Sequence, residues 1–202
     1  MHELVVDIID RLGLLGIALM MALENVIPPL PSEAVMGSAA LAIEQGRMDF
    51  WHVMIAGTLG TLAGNYFWFY VGHRLGYERL GPFIARHGRW LTVEWEDVEQ
   101  ASAFFRKHGH WLVLFLRTTP VMRTLISLPA GLSHMPVMRF VIFTAIGAAA
   151  WNALLIGGTR WIVRNFPGAE KWIAIAIVAI VVLAIVGYIY RFMTWKPRAE
   201  RG

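Results

Sequence analysis

The sequence predicts an all-α, polytopic membrane protein. It has two proline-broken re-entrant helical hairpins arranged like inverted repeats, about three full transmembrane helices, and a cytoplasmic amphipathic helical segment. Three observations carry this reading. Hydrophobic residues make up 57% of the 202-residue chain and charged residues only 16%, against roughly 45–50% and ~25% in soluble domains. Residues 172–190 form an apolar run of 19 residues without a charge, and about 20 residues at 1.5 Å rise cross the hydrocarbon core of a bilayer. Two further apolar stretches are interrupted by prolines and carry charges at membrane depth.

The first broken stretch spans about 12–45 and contains Pro28, Pro29 and Pro31. Proline removes a backbone donor and clashes with the preceding turn. In lipid the freed backbone must be satisfied inside the protein. The stretch therefore reads as two half-helices meeting at a break. The acidic residues Glu3, Asp7 and Asp10 precede it where a signal peptide would be positive, so the N-terminal segment is expected to belong to the mature protein.

A full span is expected at about 50–72 and another at about 138–161. Both are rich in small residues, including Gly60 and Gly64 in the first and Gly147 to Ala150 in the second. Small residues let membrane helices approach closely. Asn65 and Asn152 fit as interhelical hydrogen-bond partners. The connection at about 73–110 reads as amphipathic and surface-lying, with a turn near Gly81-Pro82. A helix from an N-cap near Thr92 to about Lys107 follows. The second broken hairpin covers about 111–133, with Pro120 and Pro129 at its breaks. The last span, 172–190, leads into a basic tail at 191–202. The whole chain, 1–202, forms one membrane domain.

Arginine and lysine crowd the 73–110 connection and the tail, whereas the short loop at 44–49 holds only Arg47. The positive-inside rule places the connection and the C-terminus in the cytoplasm. Arg160, Arg164 and Lys171 then fall on the outer face. The net charge of +4 fits basic loops, and no basic stripe interleaved with aromatics suggests nucleic acid. The chain has no cysteine, which rules out disulfides and thiolate metal sites. Its histidines show no ligand spacing, so neither a metal nor another cofactor is expected.

The charges are concentrated at the breaks. Glu24 and Glu33 flank Pro28 and Pro31, with Asn25 and Ser32 beside them. Arg117 and Arg123 flank Thr118, Thr119 and Pro120, and Pro129 and Gly131 follow. Ionisable residues within membrane segments cost at least about 2.5–3.5 kcal/mol each, so they face a cavity, pair with one another or mark a pathway. Arg117 and Arg123 would point about 120° apart on an unbroken helix, and Pro120 can bend both toward one cavity.

The patterns ENxxPPxPSE, GxxxGNYFWFYVG, RTTPVMR, PAGLSHMPVMRF and the Gly147–Trp151 pair, in that order over nearly the whole chain, resemble the DedA family of membrane proteins. The resemblance implies a bacterial inner-membrane protein linked to envelope integrity and proton motive force. Some relatives act on undecaprenyl phosphate, and eukaryotic ones scramble phospholipids. It also implies an acidic functional pair at Glu24 and Glu33, where many relatives carry Asp at the second position, and a basic pair at Arg117 and Arg123. Guanidinium gives planar, bidentate recognition of phosphate. The expected activity is therefore transport of a lipid phosphate, with Arg117 and Arg123 on the phosphate and Glu24 and Glu33 coupling protons. The partners are that lipid and protons, with homo-oligomerisation left open. The alternative is a proton-coupled exporter of a small solute or drug. A phosphatase is disfavoured. Ser32 and Ser127 are its candidate nucleophiles, and His134, just past the second break, is the nearest base.

Overall fold

The computed structural model describes residues 2–26, 32–91, 95–108, 126–166 and 168–194. Among them there are helices and turns and no strand. The helices are α1 (His2–Val26), α2 (Ser32–Glu44), α3 (Phe50–Leu91), α4 (Trp95–His108), α5 (Ser127–Leu132), α6 (Val137–Asn165) and α7 (Ala169–Thr194). The chain divides into two compact units. The first comprises residues 1–64 and 145–184, the second 65–144 and 185–202.

In the first unit, α1 breaks at Gly13, with φ 56° and ψ −130°. Only glycine takes such a conformation without steric cost. The apolar arm Leu12–Val26 that follows packs against α2. These are the two helices expected on either side of the proline cluster, and the cluster itself lies outside the described residues. Ile17, Met20 and Met21 of α1 join Val35, Met36, Ala39 and Ala40 of α2, Val53 of α3 and Ile156 of α6 in one buried cluster. Nine of the 13 residues of α2 are buried, so α2 is an interior helix rather than a surface one. The opposite face of α1 exposes Leu12, Leu15, Leu19 and Leu23. An exposed leucine stripe of this kind suits lipid rather than water.

The α1–α3 contact is backbone against backbone. A side chain at Gly60 would collide with the Ala18 carbonyl, and one at Gly64 with the Ala22 carbonyl and Asn25. Gly57, next along the same face of α3, packs on the Met36 thioether. The expected role of these glycines, close helix approach, is what the structure shows.

In the second unit the described residues of the long polar connection are helical. Within α3 it breaks at Gly76, with φ 61°, and not at the expected Gly81-Pro82 turn. Pro82 lies inside α3. The physical reason is packing: Leu80 is buried with Val98 of α4 and Leu132 of α5, and that contact carries the helix through the one hydrogen bond the proline forfeits. The helix expected to end near Lys107 is α4. A second core joins Phe69, Ile126, Ala130, Met135 and Phe140, with the Phe69 and Phe140 rings stacked at 4.2 Å.

Two described helices are long and apolar enough to cross a membrane, Val137–Asn165 and Lys171–Thr194. The stretch expected as a third span, 50–72, is helical throughout within α3.

Candidate functional site

Glu24 and Glu33 lie at helix ends of opposite polarity. Glu24 lies in the last turn of α1, is only 7% exposed, and has no basic residue in that turn beside it. A helix C-terminus carries partial negative charge, which opposes a carboxylate there. Glu33 lies in the first turn of α2 and is half-buried. There the positive helix end favours the carboxylate. Two identical side chains thus border the same short link, residues 27–31, with opposite helix-end fields.

Asn25 is buried and gives its Nδ2 proton to the Met21 carbonyl at 2.8 Å, turning back on its own helix. Ser32 is fully buried. Among the described residues its hydroxyl makes no hydrogen bond, so it does not cap α2 through its side chain. Pro28 and Pro31 lie outside the described residues.

The basic pair expected at Arg117 and Arg123, with Thr118, Thr119 and Pro120, also lies outside the described residues. The residues that follow it, from Ile126, are described. Pro129 sits in the first turn of α5, where a missing N–H leaves no intrahelical bond unmade. Gly131 presses on the backbone of α3 at Phe69 and His73, and Gly72 of α3 meets Leu128 and Leu132 in return. Ser127 donates its hydroxyl proton to Asn65 Oδ1 at 2.7 Å. The small residues of the PAG segment therefore dock α5 on α3.

Ser127 was a candidate nucleophile by sequence. Its hydroxyl instead bonds the amide oxygen of Asn65, which is not a general base. His134 is exposed, adopts φ 51°, and meets the edge of the His73 ring at 5.1 Å. Among the described residues no group of three or more His, Cys, Asp or Glu is placed to hold a metal ion. Asn152 reaches Thr58 of α3 at 3.5 Å.

One charged cluster was not anticipated. Glu44, the last residue of α2, binds Arg160 and Arg164 of α6. The Arg164 contact is 3.0 Å, and the Arg160 contact is the shorter of the two. The spacing of two arginines four apart on one helix face is the signal that could have suggested it.

An exposed leucine face on α1 and two helices long and apolar enough to cross a bilayer suit the class of integral membrane proteins. The comparisons narrow that class. The VTT domain matches residues 27–160. Undecaprenyl phosphate transporter A of Staphylococcus aureus is 30% identical over 204 residues, covering 99% of this chain and 100% of the relative. The Bacillus subtilis protein of the same name is 29% identical over 183 residues, 88% of each chain. A Lactococcus lactis protein named alkaline phosphatase-like is 30% identical over 188 residues, 90% of this chain and 88% of the relative. No solved structure matches significantly. The chain belongs to the VTT-domain, or DedA, family of membrane proteins.

Proposed function

We propose that the protein transports a lipid phosphate across a bacterial inner membrane. The observation that carries the reading is the first hairpin. Its α2 arm has 13 residues, about 20 Å at 1.5 Å per residue. Its α1 arm, Leu12–Val26, is about 22 Å long on the same rise. Neither reaches across a hydrocarbon core of about 30 Å. Two short arms joined by a proline cluster support a re-entrant hairpin with Glu24 and Glu33 at its tip. Broken helices with polar ends near the midplane build the substrate sites of many transporters. The names of the Staphylococcus and Bacillus relatives support the substrate class.

In this reading Arg117 and Arg123 take the lipid phosphate. Glu24, opposed by its own helix end, accepts a proton as the phosphate draws the arginines away. Transport then depends on proton motive force. The chain is no enzyme, its C-terminus is cytoplasmic, and it crosses the membrane several times. The phosphatase-like name of the Lactococcus relative finds no support in Ser127, whose hydroxyl is committed to Asn65.

The test is reconstitution into liposomes with a labelled prenyl phosphate, with and without a proton gradient. Wild type should move lipid and Arg123→Ala should not. Wild-type liposomes that move no lipid in either condition overturn the reading, and release of inorganic phosphate would revive the enzyme.

A further inference from the structure

The cluster of Glu44, Arg160 and Arg164 lies in the first unit and is not part of the acidic hairpin tip. Its carboxylate is 15% exposed, with Arg160 at 25% and Arg164 at 62%. Glu44 ends α2 and Arg164 stands in the last turn of α6. Two negative helix ends therefore share the two guanidiniums, which is the sign the dipoles require. One carboxylate against two guanidiniums leaves an excess positive charge.

The donor geometry is the second observation. Both arginines reach Glu44 through Nε. Among the described residues neither makes another hydrogen bond, so the paired Nη groups of each fork remain to bind. That edge takes phosphate end-on, by two parallel hydrogen bonds. Arg160 is further fixed by the Phe50 ring, 5.7 Å from its guanidinium carbon.

The surroundings fix the depth. Trp51, Trp161, Phe166 and Trp172 are all more than half exposed. Trp51 follows Phe50, Trp161 packs edge-on against Phe166 at 6.1 Å, and Trp172 lies in the first turn of α7. Exposed tryptophans at helix ends mark the headgroup layer of a membrane.

We propose that the Nη edges of Arg160 and Arg164, held by Glu44, form a phosphate-docking site for anionic lipid at the membrane surface, separate from the transport site. It would gather phosphomonoester headgroups on the face that carries the α2–α3 connection. The proposal stands on the cluster's own geometry, but its place in transport rests on the reading above.

The test uses the full chain in nanodiscs of zwitterionic lipid, titrated with a short-chain prenyl phosphate. It is run in the Arg117→Ala/Arg123→Ala background, so that loss of the transport site and loss of the surface site read separately. Binding should persist in that background and weaken about tenfold or more on adding Arg164→Gln, the loss expected for charge-assisted hydrogen bonds. Arg164→Lys should fall between. Prenyl alcohol should not bind. Inorganic phosphate that competes marks a site reading phosphate alone, and phosphate that fails to compete marks one that also requires the lipid tail. Equal affinity for Arg164 and Arg164→Gln, or for prenyl alcohol and prenyl phosphate, overturns the proposal. Should the double variant not fold, the same Arg164 series in the otherwise wild-type chain decides it.

Discussion

Ser127 and Asn65, 62 positions apart, share a 2.7 Å hydrogen bond with both side chains fully buried. The bond fixes how α5 sits along α3, at the crossing where Gly72 and Gly131 bring the two backbones together. Among the described residues, α5 is therefore held on α3 by a buried polar bond and by two positions that lack side chains.

Removing that bond should be measurable. Asn65→Ala leaves the Ser127 hydroxyl buried, with an expected loss of about 1–3 kcal/mol. A double-mutant cycle with Ser127→Ala should give a coupling of about 0.6 to 1.7 kcal/mol, the range for such bonds in membrane proteins. Unfolding of the four variants in one detergent checks it. A coupling indistinguishable from zero would show that the bond does not hold α5.

Gly131→Ala should destabilise the protein sharply. The new methyl would overlap the Phe69 carbonyl, and overpacking of this kind costs about 1–3 kcal/mol. Gly157→Ala and Gly158→Ala, where a methyl meets nothing within 4 Å, should be neutral or slightly stabilising. Melting temperatures of the three variants test the contrast. If all three behave alike, the α3–α5 crossing is looser than described.

Asp49 gives an acid-dependent term. Its Oδ1 accepts the N–H of Trp51 at 2.9 Å and that of His52 at 3.1 Å, capping α3. The His52 backbone N–H, then the His52 ring, hold its carboxyl below the usual range. A carboxyl lowered in the folded state adds stability above its unfolded value, near 3.9. That contribution fades as pH falls through the folded value. Asp49→Ala should melt lower at pH 7, and its difference from wild type should shrink below about pH 4. Asp49→Asn, itself a good cap, should lie close to wild type at pH 7. A pH-independent difference for Asp49→Ala would refute the assignment.

Glu24 and Glu33 should separate by function. Glu24→Gln is expected to flatten the pH dependence of lipid-phosphate transport. Glu33→Gln forfeits a favourable helix-end charge worth about 0.3–1 kcal/mol, which thermal melting should register. An unchanged pH profile for Glu24→Gln would remove Glu24 from proton coupling.

The helices were legible because lipid imposes simple rules. Long apolar runs predicted α6 and α7, and helices were expected on both sides of the proline cluster, as α1 and α2 are. The breaks at Gly13 and Gly76 were not legible. A glycine announces only permission for positive φ, and packing decides whether it is used. Gly81-Pro82 looked like the better turn, yet Leu80 buries itself among Val98 and Leu132 and keeps the helix running. Within the site, the positions of Glu24 and Glu33 at helix ends followed from the prolines. The Glu44–Arg160 contact spans 116 positions, and nothing local points from one residue to the other. Arg117 and Arg123 rest on the sequence, as charges inside a proline-broken apolar stretch and as part of the family pattern, since they lie outside the described residues.

The bare seam between α1 and α3 has a mechanical meaning. Interlocked side chains must change rotamer before two helices can shift, whereas Gly60 and Gly64 offer the Ala18 and Ala22 carbonyls a nearly smooth track. The seam sets how near α1 can lie to α3, while Ile17, Met20 and Met21 lock the same arm into the buried cluster with α2 and α6. The arm that carries Glu24 is thus gripped on two sides, and bulk added at Gly60 or Gly64 would lever it off both at once.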